Sequence, residues 1–404
     1  MQKRSYQGRS SQGNRQRSGF RGGRRSFGGN RGRGRGAQKI DVSRFINKSD
    51  TETVEPVVTS KHAFADFLVE ETLKENIQEK GYVTPTPIQD KAIPHILEGR
   101  DIVGIANTGT GKTAAFLVPL VNKVLKNENE RILIMVPTRE LAIQIEEELR
   151  GFAKRTPIFG VVCVGGAPIE RQIAGLRRQH NFVIGTPGRL KDLMERNVLH
   201  LKEFNTVVLD EADRMLDMGF IHDMRFMLSE MPKPRHTLFF SATLSQEIER
   251  LIGDFLVDPI RISVKTGDTA KNVDQDIIRL EKGADKIDVL HDLLTQPDFG
   301  KVLIFGRTKH GVERLSRDLA RRGLKTNSIH GDKSQSQRER ALGQFRKDAV
   351  QALVATDVAA RGLDITDITH VINYDIPSTY EDYVHRIGRT GRGDKKGKAI
   401  TFVE

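Results

Sequence analysis

A single cysteine, Cys163, stands among the 404 residues, so no intramolecular disulfide can form. Its setting in the apolar run from Val161 to Val164 predicts an inert, buried thiol, and such a shortage suits a reducing compartment. No uninterrupted apolar stretch reaches the roughly 18 residues needed to span a bilayer. No apolar segment follows the basic N-terminus, as a secretory signal would require. The sequence therefore predicts a soluble, cytoplasmic protein without a membrane partner. Acidic residues are missing altogether from residues 1–40, which hold ten Arg and two Lys. The net charge is +12, so the whole excess lies in that segment, and the other 364 residues balance 53 basic against 53 acidic side chains. This is the pattern of a polyanion-seeking appendage on a neutral body.

What is present divides the chain into regions. The first 36 residues are Arg, Gly, Ser, Gln and Asn with only three aromatics, Tyr6, Phe20 and Phe27. Such a composition buries too little apolar surface to offset the entropy of ordering, which predicts disorder. Runs such as Arg21-Gly22-Gly23-Arg24 and Arg31-Gly32-Arg33-Gly34-Arg35 combine phosphate-binding, base-stacking guanidinium groups with an adaptable backbone, a combination suited to RNA. A tail that only aids solubility is the alternative. We place this tail at 1–40 and a linker at 41–61. From residue 62 short apolar runs alternate with amphipathic stretches. Strands are expected at 102–105, 132–136, 161–164, 182–184, 207–209 and 238–240, with helices at 140–150 and 168–178 between them. Strands apolar on both faces and separated by helices indicate a parallel sheet covered on both sides. After a looser stretch at 265–273 the alternation restarts, with strands at 277–280, 302–305, 327–329, 352–355, 371–373 and 399–403. The expected fold is α/β, with tandem domains at 62–264 and 274–404.

Three motifs carry chemistry. Ala106-Asn107-Thr108-Gly109-Thr110-Gly111-Lys112-Thr113 follows one expected strand and opens a helix. In that position a glycine-rich loop turns backbone N–H groups towards phosphates. Lys112 would reach the β- and γ-phosphates of ATP, and Thr113 would hold Mg²⁺. Val207 to Asp213 sets carboxylates at the end of an apolar strand, where ligands of open α/β sheets bind. Asp210 can hold Mg²⁺ through water, and Glu211 can orient and deprotonate an attacking water. His385-Arg386-Ile387-Gly388-Arg389-Thr390-Gly391-Arg392 offers arginines that could meet a γ-phosphate across a cleft; a basic surface loop is the plainer reading.

Together these motifs resemble the DEAD-box RNA helicases of superfamily 2, of bacterial type, whose name-giving tetrad stands here as Asp210-Glu211-Ala212-Asp213. The resemblance covers about residues 62–404 and implies two RecA-like domains. Phe64 and the segment from Gly81 to Gln89 look like the Q motif, which reads adenine; the Gln89 amide suits that task. The resemblance implies that Asp364 contacts the ribose and that Arg389 and Arg392 contact the γ-phosphate. It assigns coupling of the ATP state to strand separation to Ser241 and Thr243, with Asp213, His385 and Arg386. It also implies RNA contacts, mainly to the sugar–phosphate backbone, from Pro137, Thr138, Arg139, Gly165, Gly166, Thr186, Gly188 and Arg189 in the first domain. Arg307, Thr308, Gln335, Arg338 and Thr356 supply them in the second. The first P-loop position is Ala106 where Gly is usual, Asn107 occupies a variable position, and the chain stops at Glu404 where family cores commonly continue with a helix.

The implied activity is RNA-stimulated ATP hydrolysis that closes the domains and opens short duplexes locally, with ATP and Mg²⁺ as cofactors. RNA is the expected partner, single-stranded or in short duplexes, together with proteins of ribosome assembly or RNA decay. A DNA translocase, an ATP-gated RNA clamp and a tail-driven condensate scaffold share parts of this pattern. Stimulation by RNA against DNA separates the first of these.

Overall fold

The alternating apolar runs become two parallel sheets in a computed structural model, which describes residues 45–46, 60, 62–107, 109–264, 273–281, 283–360, 365, 367–391 and 396–403. The first sheet holds β1 (Ile102–Ala106), β2 (Ile132–Met135), β3 (Gly160–Cys163), β4 (Phe182–Gly185), β5 (Thr206–Leu209), β6 (His236–Ser241) and β7 (Ile260–Val264). Their spatial order is β3-β4-β2-β5-β6-β1-β7, and every pairing is parallel. The second sheet holds β8 (Val273–Arg279), β9 (Val302–Phe305), β10 (Thr326–Ile329), β11 (Ala352–Ala355), β12 (His370–Asn373) and β13 (Gly397–Val403). It is ordered β10-β11-β9-β12-β13-β8, again all parallel.

The period of two along each strand explains why the central runs are apolar throughout. Ile102, Ile134, Ile184, Val208 and Phe240 face one helical layer, whereas Val103, Leu133, Val183, Val207 and Phe239 face the other. Each fully buried side chain of this kind contributes about 1.5–3 kcal/mol. Gly104 in β1 is a packing requirement, since a Cβ there would lie 2.6 Å from the Phe240 ring. Helices Arg139–Phe152 and Ile169–Leu176 stand where the periodicity predicts them.

Two strands depart from expectation. β7 was not anticipated; it is an edge strand in which apolar Ile260, Ile262 and Val264 alternate with Arg261 and Ser263, and it is largely half-exposed. β8 begins at Val273, four residues before the apolar run at 277, because Asp274, Gln275 and Asp276 interrupt that run. Phe45, which composition assigns to a linker, is fully buried against Tyr383, with ring centroids 4.5 Å apart. Cys163 is buried as expected, and burial pushes its thiol up to about 12. Among the described residues no helix is long and apolar enough to cross a membrane. The tail at 1–40 lies outside the described residues, as does nearly all of both proposed linkers.

Candidate nucleotide and nucleic-acid site

Strand order decides which loops meet. β5, β6 and β1 are neighbours, so Asp210, Ser241 and the glycine-rich loop share one half of the carboxyl edge of the first sheet. β3, β4 and β2 bring Gly165, Gly166, Thr186, Gly188, Arg189, Pro137, Thr138 and Arg139 to the other half.

In the first half, the loop after β1 turns through Gly109 and Gly111, with φ of 82° and 90°, into helix Lys112–Lys126. Ala106 ends β1, Asn107 follows it, and the Thr110 hydroxyl donates to the Asn107 carbonyl at 2.8 Å. Gly111 admits no side chain, because a Cβ would lie 2.4 Å from Gln89 Nε2. Gln89 spends its amide on the loop: Nε2 donates to the Gly111 carbonyl at 3.0 Å, and Oε1 accepts from Thr86 N–H at 2.8 Å. The Thr86 hydroxyl donates to the Thr110 carbonyl at 2.8 Å. Phe64 is buried in edge contact with Phe67 and Tyr82, and its N–H bonds the Val83 carbonyl at 3.1 Å. Lys112 folds back so that Nζ donates to the Ala106 carbonyl at 3.0 Å, while Thr113 sits half-buried in the first helical turn.

The acidic tetrad is nearly dry. Asp210 is 2% exposed, and burial drives its carboxyl up to about 6, with Lys112 opposing and Glu211 reinforcing the rise. Glu211 adopts φ 51°, ψ 49°, a left-handed conformation uncommon outside glycine. Burial raises its proton affinity, but Arg214, Lys112 and Arg389 together outweigh burial, and the net shift is downward. Arg214 Nη1 pairs directly with Glu211 Oε2. Asp213 Oδ2 accepts from Ala242 N–H at 3.0 Å and from Thr243 N–H and Oγ1 at 2.9 and 3.1 Å, and Ser241 Oγ donates to the Thr243 carbonyl at 2.8 Å. The last acid of the tetrad is thus bonded to the turn after β6.

The second domain presents its loops in the same way. β11, β9 and β12 are adjacent, so Thr356, Arg307 and Asp375 follow neighbouring strand ends. Arg307 N–H donates to Asp375 Oδ2 at 2.7 Å, and the Thr308 hydroxyl caps helix Lys309–Arg321 by accepting from Gly311 N–H at 3.0 Å. Helix Tyr380–Ile387 carries His385 and Arg386. Arg386 is buried, forking onto Asp357 at 2.6 and 2.8 Å and reaching the Asn373 side chain and the Asp375 carbonyl at 3.1 and 2.7 Å. All these partners lie in its own domain. Among the described residues of the motif, Arg389, just beyond that helix, acts on Glu211 through its charge.

On the other half of the edge, the Thr138 hydroxyl caps helix Arg139–Phe152 by accepting from Leu141 N–H at 3.3 Å. Arg139 lies against Gly165 and Gly166; a Cβ on Gly166, where φ is 73°, would sit 1.9 Å from Arg139 Nη1. Arg189 Nη1 donates to the Ala167 carbonyl at 3.3 Å. Arg338 crosses from helix Gln335–Arg346 of the second domain to Glu140, with Nη2 to Oε1 at 2.7 Å and both side chains buried. Gln335 Nε2 donates to Glu339 Oε1 at 3.1 Å, one turn further on. Burial, then Arg338 and Arg189, lower the pKa of Arg139. Guanidinium groups from both domains, Arg139 and Arg338, thus act on the Glu140 carboxylate.

Arg214 is not among the expected site residues, and Glu140 is expected only as part of the RNA motif that opens at Pro137, not as the partner of Arg338. The spacing of three between Glu211 and Arg214 on a nascent helix was a usable signal for the first. Glu140 pairs across the domains, which no local pattern announces. Thr108, Asp364 and Arg392 lie outside the described residues.

A glycine-rich loop and an acidic strand end side by side on a parallel sheet, faced by an arginine from a second such sheet, define a two-domain P-loop nucleotide enzyme. Family models agree: residues 86–251 match DEAD/DEAH box helicase, and residues 285–394 match Helicase conserved C-terminal domain. The chain is 46% identical to "ATP-dependent RNA helicase CshA" of Listeria monocytogenes over 84% of its own length and 66% of that protein. It is 45% identical to the protein of that name from Limosilactobacillus reuteri, over 84% and 69%. It thus spans about two thirds of these curated relatives, slightly less for the first. Among solved structures, a DEAD box protein from Methanococcus jannaschii is 39% identical, with 84% and 93% of the two chains covered and a TM-score of 0.50. S. cerevisiae Dbp5 bound to RNA and ADP BeF3 is 30% identical over 85% and 89%, with a TM-score of 0.74. Mss116p bound to ssRNA and AMP-PNP is 29% identical over 83% and 72%, also at 0.74. The chain belongs to the DEAD-box ATP-dependent RNA helicases, and its two domains are of the RecA-like kind.

Proposed function

We propose that the protein hydrolyses ATP in response to RNA and uses closure of its two domains to open short duplexes and remodel RNA–protein contacts. One observation carries this reading: Glu211 of the first domain lies within electrostatic reach of Lys112 and of Arg389 from the second. A general base, a phosphate-binding lysine and a charge-neutralising arginine are what phosphoryl transfer to water requires. The better superposition on Dbp5 and Mss116p, both bound to RNA and a nucleotide analogue, than on the more identical archaeal protein supports an arrangement like theirs.

In this reading domains 62–264 and 274–404, joined by 265–273, close around ATP. Gln89 and Phe64 brace the loop that lines the adenine side, and the loop from Ala106 to Thr113 wraps the phosphates. Asp364 would meet the ribose, and Arg392 would join Arg389. Asp210 and Thr113 suit Mg²⁺: a buried carboxylate and a hydroxyl, without a cage of protein ligands among the described residues, match a cation that keeps water and phosphate oxygens in its shell. Bound there, it would neutralise phosphate charge and lift the burial cost that raises Asp210. Glu211, held by Arg214, orients water and takes its proton. Asp213 passes the state of the site to Ser241 and Thr243, and Arg386 and His385 transmit it in the second domain. RNA runs along Pro137–Arg139, Gly165–Gly166, Thr186–Arg189, Arg307–Thr308, Gln335, Arg338 and Thr356, with the tail at 1–40 adding sequence-independent affinity. A cytoplasmic setting fits this role.

The test is steady-state ATP hydrolysis alone, with single-stranded RNA and with matched DNA, using Glu211→Gln as the blank. Strong stimulation by RNA alone is expected. Equal stimulation by DNA would overturn the RNA-specific reading.

A further inference from the structure

Phe45 lies far upstream of the Q segment, yet its ring is sealed inside the second domain. It packs on Tyr383 at 4.5 Å in a cluster with Val273, Ile387 and Ala399, and it is 0% exposed. Tyr383 is itself fixed, its hydroxyl donating to buried Gln275 at 2.9 Å. The next described stretch of chain is held by the first domain. The Ser60 hydroxyl donates to the Pro85 carbonyl at 3.0 Å, and His62 bonds Asp90 on helix Pro87–Leu97 through N–H and Nδ1 at 3.2 and 2.7 Å. Only residues 46–59, fourteen in all, separate the two anchors, a reach of about 50 Å at full extension.

We infer that Phe45 is a plug that fastens the N-terminal side of the chain to the second domain. The two domains are then bridged twice, by residues 46–59 as well as by 265–272. A double bridge limits how far the domains can separate and raises the effective concentration of Arg389 at the nucleotide. The socket is also part of the helix Tyr380–Ile387 that leads to Arg389. Phe45 is a positioning residue acting through Tyr383, and it touches no substrate.

The inference rests on the closure proposed above, so the experiment reads closure separately. Full-length protein carries one fluorophore on each domain, at Glu230→Cys and Arg321→Cys. Cys163, buried and with its thiol raised, stays unlabelled. In the unaltered background, a non-hydrolysable ATP analogue with single-stranded RNA should raise energy transfer. If it does not, the closure reading fails before the bridge is tested. Two variants follow. Phe45→Ala should raise the RNA concentration for half-maximal ATPase several-fold while the first domain keeps its ATP affinity. Inserting twenty Gly/Ser residues between 46 and 59 leaves the plug in place and lengthens the bridge. Effective concentration falls as about the −3/2 power of length, so a rise of up to about fourfold is expected. A shift on Phe45→Ala with none on lengthening overturns the bridge, since the plug then merely steadies the second domain. No shift in either variant overturns both roles.

Discussion

Replacing Arg214 by Met isolates the electrostatics of the acidic tetrad. Arg214 and Glu211 are both buried and pair directly three residues apart. Removing the guanidinium leaves Glu211 in its left-handed turn with burial opposed only by Lys112 and Arg389. Breaking a buried pair by deleting one partner costs about 3–5 kcal/mol. For a domain of roughly 200 residues each kcal/mol lowers Tm by about 2–4 °C, so a fall of about 6–20 °C is expected. The sign of the pH effect follows. With Arg214 gone, the folded-state pKa of Glu211 rises relative to that of the unaltered protein. The stability lost is that of the charged form, so the deficit should be smaller at pH 5 than at pH 8. Adding Glu211→Gln removes the stranded charge and should restore more than half of the loss. Thermal melts of the three proteins followed by circular dichroism decide the matter. A deficit below about 1 kcal/mol, or a double variant no better than Arg214→Met, would refute the reasoning.

Three more outcomes are expected. Gly166→Ala forces a left-handed alanine and drives its Cβ into Arg139; loss of one charge-assisted contact predicts about tenfold weaker binding of labelled single-stranded RNA by anisotropy, and unchanged binding would remove Arg139 from the RNA path. Deleting residues 1–36 should flatten the log–log salt dependence of RNA binding by about 0.7 per lost phosphate contact; an unaltered slope leaves the tail a solubility device. Burial, with Lys398 adding to it, lowers His370 to about 4. Its stabilising neutrality is therefore lost progressively as pH falls from about 6.5 towards 4. His370→Phe, which preserves the 4.0 Å stack on Phe299, should melt with a shallower acid dependence, and parallel curves would contradict the shift.

Much of the fold was legible because central strands of a doubly covered sheet are apolar on both faces and stand out from their helices. Val302–Phe305 and Ala352–Ala355 match residue for residue. The edges were not legible: β7 is half solvated and alternates with Arg261, and β8 opens on polar residues. The placement of the loops was local and could be read, because Gly111, Lys112 and Asp210 follow apolar strands that the sequence marks clearly. Contacts between distant segments could not. Nothing near Phe45 says that its ring ends on Tyr383, and nothing near Glu140 announces Arg338. Gln89 shows what a motif leaves out: besides the adenine contact expected of it, its amide bonds Thr86 and Gly111, which spacing alone does not suggest.

On the RNA path proposed above, the buried pair of Glu140 and Arg338 has a consequence for discrimination by length. A small anion at this face would meet an Arg338 whose charge is already answered, whereas a continuous phosphate chain that also contacts Arg139 would replace Glu140 there. A strand long enough to span the seam is then expected to bind more tightly than its fragments, which RNAs of graded length would check.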